Sequence, residues 1–100
     1  MWKQFDNGIS IGSKGSEDGI IVLDEEHTYG ARVTLERDGS TAPWSVTCGI
    51  YGIFVHTAFA SSETEGRMKY EHMRDDLVEI MHETDEACQN QKVLDFVNKN

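Results

Sequence analysis

The chain has 100 residues, 38% of them hydrophobic, and its 18 acidic residues against nine basic ones give a net charge of −9. This composition fits one small folded domain and excludes a disordered chain. The negative charge, with basic residues scattered along the chain, argues against nucleic acid and anionic membranes as partners, and no apolar run approaches the length of a membrane span.

The start of the chain has no basic residues followed by a long apolar run. We therefore expect no signal peptide and a cytoplasmic protein. Cys48 and Cys88 fit no metal-binding spacing, so both are expected to be reduced thiols. Phosphate-binding loops, nucleophile elbows and zinc-protease motifs do not occur. We expect no cofactor and no bound metal.

Residues 9–60 have the pattern of β-structure. Ile9 and Ile11 alternate with a serine, and a Gly/Ser-rich loop follows at 12–19. Residues 24–26 are expected to form a polar turn or a bulge. Short connections favour antiparallel neighbours, so we predict a meander of four or five strands. Three of the segments have the composition of strands: 20–23, 31–37 and 44–48. The second of these alternates cleanly, which predicts one buried and one wet face.

The period changes after residue 60. Ser62 and Glu65 have the spacing of a capping box, and apolar residues recur at helical spacing from there to Cys88. We predict one long amphipathic helix over 63–88 on one face of the sheet and a short terminal helix over 92–99. The expected fold is a single α+β domain.

Cys48 and His56 are the first candidates for chemistry, because a thiol nucleophile needs a base within hydrogen-bond reach. Residues 44–60 form either one long strand or a hairpin. One strand separates the two side chains by about 26 Å, and a two- or four-residue turn places them on opposite faces. Only a three-residue loop or a bulge would unite them. We therefore expect no catalytic residue, a core thiol at 48 and a rim or interface histidine at 56.

Gly49 and Gly52 permit a turn or a bulge, or the close approach of a ligand or a second subunit to the backbone. Residues 24–27 carry three carboxylates and a histidine, but they lack the spacing of a calcium loop, so an exposed turn is expected. The rival interpretation is a small-molecule or metal site, which could be enzymatic. Its candidate residues are Cys48, Tyr51, His56 and His27.

The predicted long helix has a strongly acidic side. Nine acidic residues against three basic ones between 63 and 86 leave a charge of −6. Glu79 and His82 have a spacing that di-metal bundles use, but such bundles need a second copy of the motif and two further glutamates. We interpret this side as a solvated face suited to a basic partner. This acidic face consists of His72, Asp75, Asp76, Glu79, His82, Glu83 and Glu86.

The apolar tract 50–59 is longer than one helix is expected to cover. Tyr51, Phe54 and His56 are therefore expected on the second face of the sheet, where a second copy of the chain would cover them. The expected function is that of a small acidic, homodimeric interaction domain that is not an enzyme. A further alternative is an acidic inhibitor that imitates phosphate charge.

Overall fold

The computed structural model describes residues 1–100 and confirms the predicted α+β class. Five strands form one antiparallel sheet, and each strand pairs with its neighbour along the chain. Helices α1 (Glu63–His82) and α2 (Glu86–Lys99) follow the sheet. Neither helix has the length and apolarity needed to cross a membrane. The strands are β1 (Trp2–Gln4), β2 (Ile20–His27), β3 (Ala31–Arg37), β4 (Trp44–Ile50) and β5 (Phe54–Ala60).

One side of the sheet, which we call the inner face, packs against the helices. The apolar residues of β3 lie there and are fully buried, as their alternation predicts. At the β5 end of this face, the Phe96 ring of α2 meets the Phe54 ring edge-on at 5.5 Å. The expectation that Phe54 and His56 occupy the second face is therefore wrong, because α2 packs against both rings on the inner face. Helix α1 contributes four buried side chains to the same core: Tyr70, Met73, Leu77 and Ile80.

The opposite side of the sheet, which we call the outer face, is less exposed to solvent than the pattern of β3 predicts. Thr34 and Glu36 point to that side, yet they are buried. The expectation of a solvated face is wrong for these positions because the loop before β2 folds over them. The Glu36 carboxylate accepts hydrogen bonds from the backbone N–H groups of Glu17 at 3.2 Å and Gly19 at 3.1 Å.

Strand β2 continues through residues 24–26 in regular register, so the turn or bulge expected there is wrong, and the irregularity of the strand lies between Ile21 and Leu23. The buried Asp24 carboxylate accepts hydrogen bonds from the side chains of Ser10, Arg32 and Thr34. These donors lie on β3 and on the loop that covers the outer face. Polar residues can therefore stay in the strand, because their neighbours replace the hydrogen bonds of water.

The chain before β2 also differs from the strand expected at 9–11. A short β1 is followed by a 3₁₀ turn at Phe5–Gly8. Within this turn Asp6 and Asn7 have φ values of 49° and 55°, a left-handed conformation that ends an extended strand. Ile9 is left with 74% of its surface exposed, so the alternation there does not mark a buried face.

Helix α1 begins as predicted, with the Ser62 hydroxyl accepting the backbone N–H of Glu65 at 3.2 Å. It ends at His82 instead of Cys88, and α2 runs over 86–99 instead of 92–99. The cause is a second N-cap, since the Asp85 carboxylate accepts the backbone N–H of Cys88 at 2.9 Å. The apolar stripe is buried only up to this break, and Cys88 is exposed.

Candidate functional site

Cys48 and His56 are directly paired across β4 and β5, on the inner face. The expectation that they face opposite sides is wrong, because the hairpin has a three-residue loop at 51–53. Gly52 supplies the positive φ of 78° that closes this loop. One residue more or fewer in the loop would have reversed the relation between the two side chains.

The pairing does not make a nucleophile and its base. No hydrogen bond joins the thiol and the imidazole, and Cys48 is only 3% exposed. Burial raises the pKa of the Cys48 thiol to about 12, which keeps it in the unreactive thiol form. The ring of His56 packs edge-on against Phe96 at 6.1 Å, and its Nε2 is buried without a partner.

The other two candidate side chains lie elsewhere. His27 ends β2 on the inner face, where its ring contacts the rings of Trp2 and Tyr29. Its Nδ1 accepts the backbone N–H of Tyr29 at 3.1 Å, and burial lowers its pKa. Tyr51 lies in the β4–β5 loop, and its hydroxyl donates to the Glu26 carboxylate at 2.7 Å. The four candidates therefore do not share one cleft.

The three carboxylates of β2 do not lie together either, because successive residues of a strand point to opposite faces of the sheet. Asp24 binds Arg32 on the outer face, and Glu25 accepts a hydrogen bond from Arg74 of α1 on the inner face. Glu26 faces outward again, toward Tyr51. No group of three or more His, Cys, Asp and Glu residues is arranged to hold a metal ion.

The outer face carries a groove of about 640 Å³. Its floor is formed by β3 and β4. Gly49 is part of this floor and allows β5 to lie close against β4, because it has no side chain. A Cβ at this position would lie 2.5 Å from the carbonyl oxygen of Phe54. The loop around Gly15 borders one side, and Ile53 and Val55 border the other.

The polar groups of the groove are held in fixed positions. The Arg32 guanidinium donates from Nε and Nη2 to the two oxygens of Asp24, at 2.9 and 2.7 Å. Its other side lies over the Phe5 ring, 3.6 Å from the ring centre. The hydrogen bonds to Asp24 raise the pKa of Arg32. Beside it, the hydroxyls of Thr47 and Thr57 are 3.0 Å apart.

Of the predicted site residues, Tyr51 borders the groove with its side chain, and Cys48 borders it only where its backbone crosses the floor. The sequence interpretation missed four polar residues of the floor. The alternating polar residues of segments 31–37 and 44–48 could have identified them, because these positions lie on one face of the sheet. The missed residues are Arg32, Thr34, Glu36 and Thr47.

The acidic face is divided by the break between the helices. Lys92 of α2 forms ion pairs with Glu79 at 3.8 Å and Glu83 at 3.2 Å, and Lys99 lies 2.8 Å from Asp76. These three acids are thus partly neutralised by α2. Two acids of this face, Asp75 and Glu86, have no ion pair with a lysine or arginine, and its two histidines, His72 and His82, are exposed.

Strand β5 forms one edge of the sheet. It has no charged residue in its sequence FVHTAFA. Val55 is 79% exposed and Phe59 is 39% exposed, and both lie on the outer face. The ammonium of Lys69 donates to the Phe59 carbonyl at 2.9 Å. A long, uncharged edge strand of this kind is a place where a further strand can pair.

Comparison of the chain with protein-family models, with curated proteins and with solved structures gives no match.

Proposed function

We propose that the protein is a homodimeric interaction domain in which two copies join along β5. The observation that carries this proposal is the uncharged, unpaired edge of the sheet. Native proteins protect such edges with charges, prolines, bulges or a covering element. Here the protection is limited to Lys69, which reaches the carbonyl of Phe59 at one end of the strand.

The backbone direction along β5 supports strand pairing. The Phe59 carbonyl points away from β4, since Lys69 reaches it from the helix side. Backbone polar groups alternate in direction along a strand, so Val55 and Thr57 turn their N–H and C=O groups to the same free edge. These groups would form the hydrogen bonds of an added strand.

The side chains are self-complementary for an antiparallel pair centred on Thr57. In that register Val55 of one copy lies opposite Phe59 of the other, and the same contact occurs twice about the two-fold axis. The two exposed apolar side chains of each copy would then form two Val55–Phe59 pairs on the outer face, one on each side of the central Thr57 pair. Cross-strand pairs of aromatic and β-branched residues stabilise antiparallel sheets.

The distribution of charge also favours joining two copies along β5. Two copies with a net charge of −9 each repel one another. The outer face of β4 and β5 has no ionisable side chain, so an acidic copy can approach there without facing acids directly. The residues of this uncharged band are Ser45, Thr47, Gly49, Val55, Thr57 and Phe59.

The dimer would present two copies of the acidic face, at the helix side of the sheet. In each copy Asp75 and Glu86 are exposed and have no ion pair with a lysine or arginine. We propose that this surface engages a basic protein, because complementary charge accelerates and orients encounters between partners. Such an encounter weakens as salt rises.

Light scattering coupled to size-exclusion chromatography tests the dimer. The wild type is expected at twice the chain mass of 11.3 kDa, and Val55→Lys is expected to elute as a monomer. Ile9→Lys is the matched control, because Ile9 is 74% exposed against 79% for Val55 but lies far from β5. A wild type that stays monomeric at its highest soluble concentration would contradict the proposal, and so would a dimer that Val55→Lys leaves intact.

A further inference from the structure

We propose that the outer-face groove binds a neutral small molecule with an apolar body and a carbonyl group. The proposal goes beyond dimer formation, because the groove is complete within one chain. Its volume of about 640 Å³ lies within the range of about 300 to 1,000 Å³ that is usual for small-molecule sites.

The floor of the groove carries the outer-face side chains of β3 and β4. Gly49 stands between Arg32 on β3 and Val55 on β5 in the register of the sheet. Gly49 is buried, and Cγ2 of Val55 lies 3.0 Å from the place where its Cβ would stand, so the Val55 side chain borders this part of the floor. Ile21 and Ile53 supply apolar surface at the margins. The apolar body of a small molecule would bury surface against these side chains and Val55.

The walls of the groove are held in place. Glu36 fixes the loop on one side through its hydrogen bonds from Glu17 and Gly19. On the other side, Tyr51 is held by its hydroxyl on Glu26 and by its backbone N–H on the carbonyl of Gly30 at 2.9 Å. A preformed groove loses little conformational entropy when a ligand enters.

The polar groups of the groove offer donors. Thr47 lines the groove, and Thr57 is its neighbour on β5. The two residues together have two hydroxyl protons, and the single hydrogen bond between them uses one. The second proton has no acceptor in the chain. Arg32 uses Nε and Nη2 on Asp24, and its Nη1 makes no hydrogen bond with the protein. A ligand that brings an acceptor completes both groups.

Charge selects a neutral acceptor over an anionic one. Asp24 already neutralises Arg32 at 2.7 Å, and Lys14 is paired with Asp18 at 3.4 Å. The carboxylates of Glu36 and Glu26 lie close by, and the whole chain carries −9. A carboxylate or phosphate would enter a negative field with no free cation to receive it. A carbonyl oxygen accepts the same hydrogen bonds without that repulsion.

Acetanilide and benzoate form a matched pair of probes, a neutral carbonyl and an anion on the same ring. In ¹H–¹⁵N correlation spectra, acetanilide is expected to shift the backbone amides of Thr47, Gly49 and Ile53, and benzoate at equal concentration is not. Thr47→Val keeps the volume and removes one hydroxyl, so it should weaken acetanilide binding about 5- to 10-fold. Thr41→Val, at an exposed position outside the groove, should leave it unchanged.

The proposal fails if acetanilide shifts none of these amides, or if benzoate shifts them equally. It also fails if Thr47→Val binds acetanilide as well as the wild type does. The mass of each sample, measured at the same protein concentration, reports dimer formation separately. A monomer that binds acetanilide would contradict the proposed dimer and leave the groove proposal standing.

Discussion

Cys48 and His56 occupy directly opposed positions on β4 and β5, and no hydrogen bond joins them. Both side chains lie under the helices, where the thiol is shielded from water and the imidazole packs against Phe96. The pair thus has the proximity of a catalytic dyad and the environment of a core. Environment decides reactivity, because only a thiolate attacks an electrophile.

Thiol labelling should separate the two cysteines of the native protein. With a pKa of about 12 for Cys48, roughly one thiol in ten thousand is ionised at about pH 8. Cys88 is exposed and should react at once with Ellman's reagent, whereas Cys48 should react only as the protein unfolds. Cys88→Ser should remove the fast phase completely. A fast phase that survives in this variant would show that Cys48 is accessible and activated.

Arg32 should matter more to stability than any exposed arginine does. Its partner Asp24 has a side chain that is fully buried, so Arg32→Met leaves an uncompensated charge with only hydroxyl donors. We expect a loss of about 3 kcal/mol in the free energy of unfolding. Arg37→Met breaks an exposed ion pair with Asp38 and should cost less than about 1 kcal/mol. Urea unfolding of both variants measures the difference, and equal costs would contradict this account.

The alternation in β3 predicted which residues enter the core, because period-2 burial is a local property of a strand. It did not show what covers the other side. The burial of Glu36 depends on a loop folding back over β3, which is a tertiary contact. The break before α2 was equally hidden, because the apolar spacing runs through Ala87 and Cys88 although Asp85 starts a new helix. The polar floor of the groove was not predicted because it too depends on the loop that covers β3.

Substitution of Gly49 and of Gly52 should destabilise the protein for different reasons, a steric clash at Gly49 and backbone strain at Gly52. A Cβ at Gly49 would lie 2.5 Å from the Phe54 carbonyl oxygen and 3.0 Å from Cγ2 of Val55. The Phe54 oxygen belongs to the backbone and cannot move aside as a flexible side chain could. Gly49→Ala should therefore cost about 1 to 3 kcal/mol in the free energy of unfolding. Gly52 has a φ of 78° with open space around it, so Gly52→Ala should cost only about 1 kcal/mol of backbone strain. Urea unfolding in which Gly52→Ala is the more costly change would contradict this explanation.

His27 should make the fold sensitive to mild acid. Burial lowers its pKa in the folded state below the ordinary value of 6.5, and the α-amino group of Met1 and His82 add positive charge nearby. A lowered pKa means that the unfolded chain binds the proton more readily. The stabilising effect of the neutral ring is therefore complete above about pH 6.5. It is lost as the pH falls toward the folded-state pKa.

Urea unfolding of the wild type should therefore show lower stability at about pH 5.5 than at about pH 7.5. His27→Gln removes the titrating ring, so the difference between the two pH values should shrink. His72→Gln is the control, because His72 is exposed on α1 and its replacement should leave the wild-type difference in place. If His27→Gln and the wild type lose the same stability between the two pH values, another group controls the response and the role assigned to His27 is wrong.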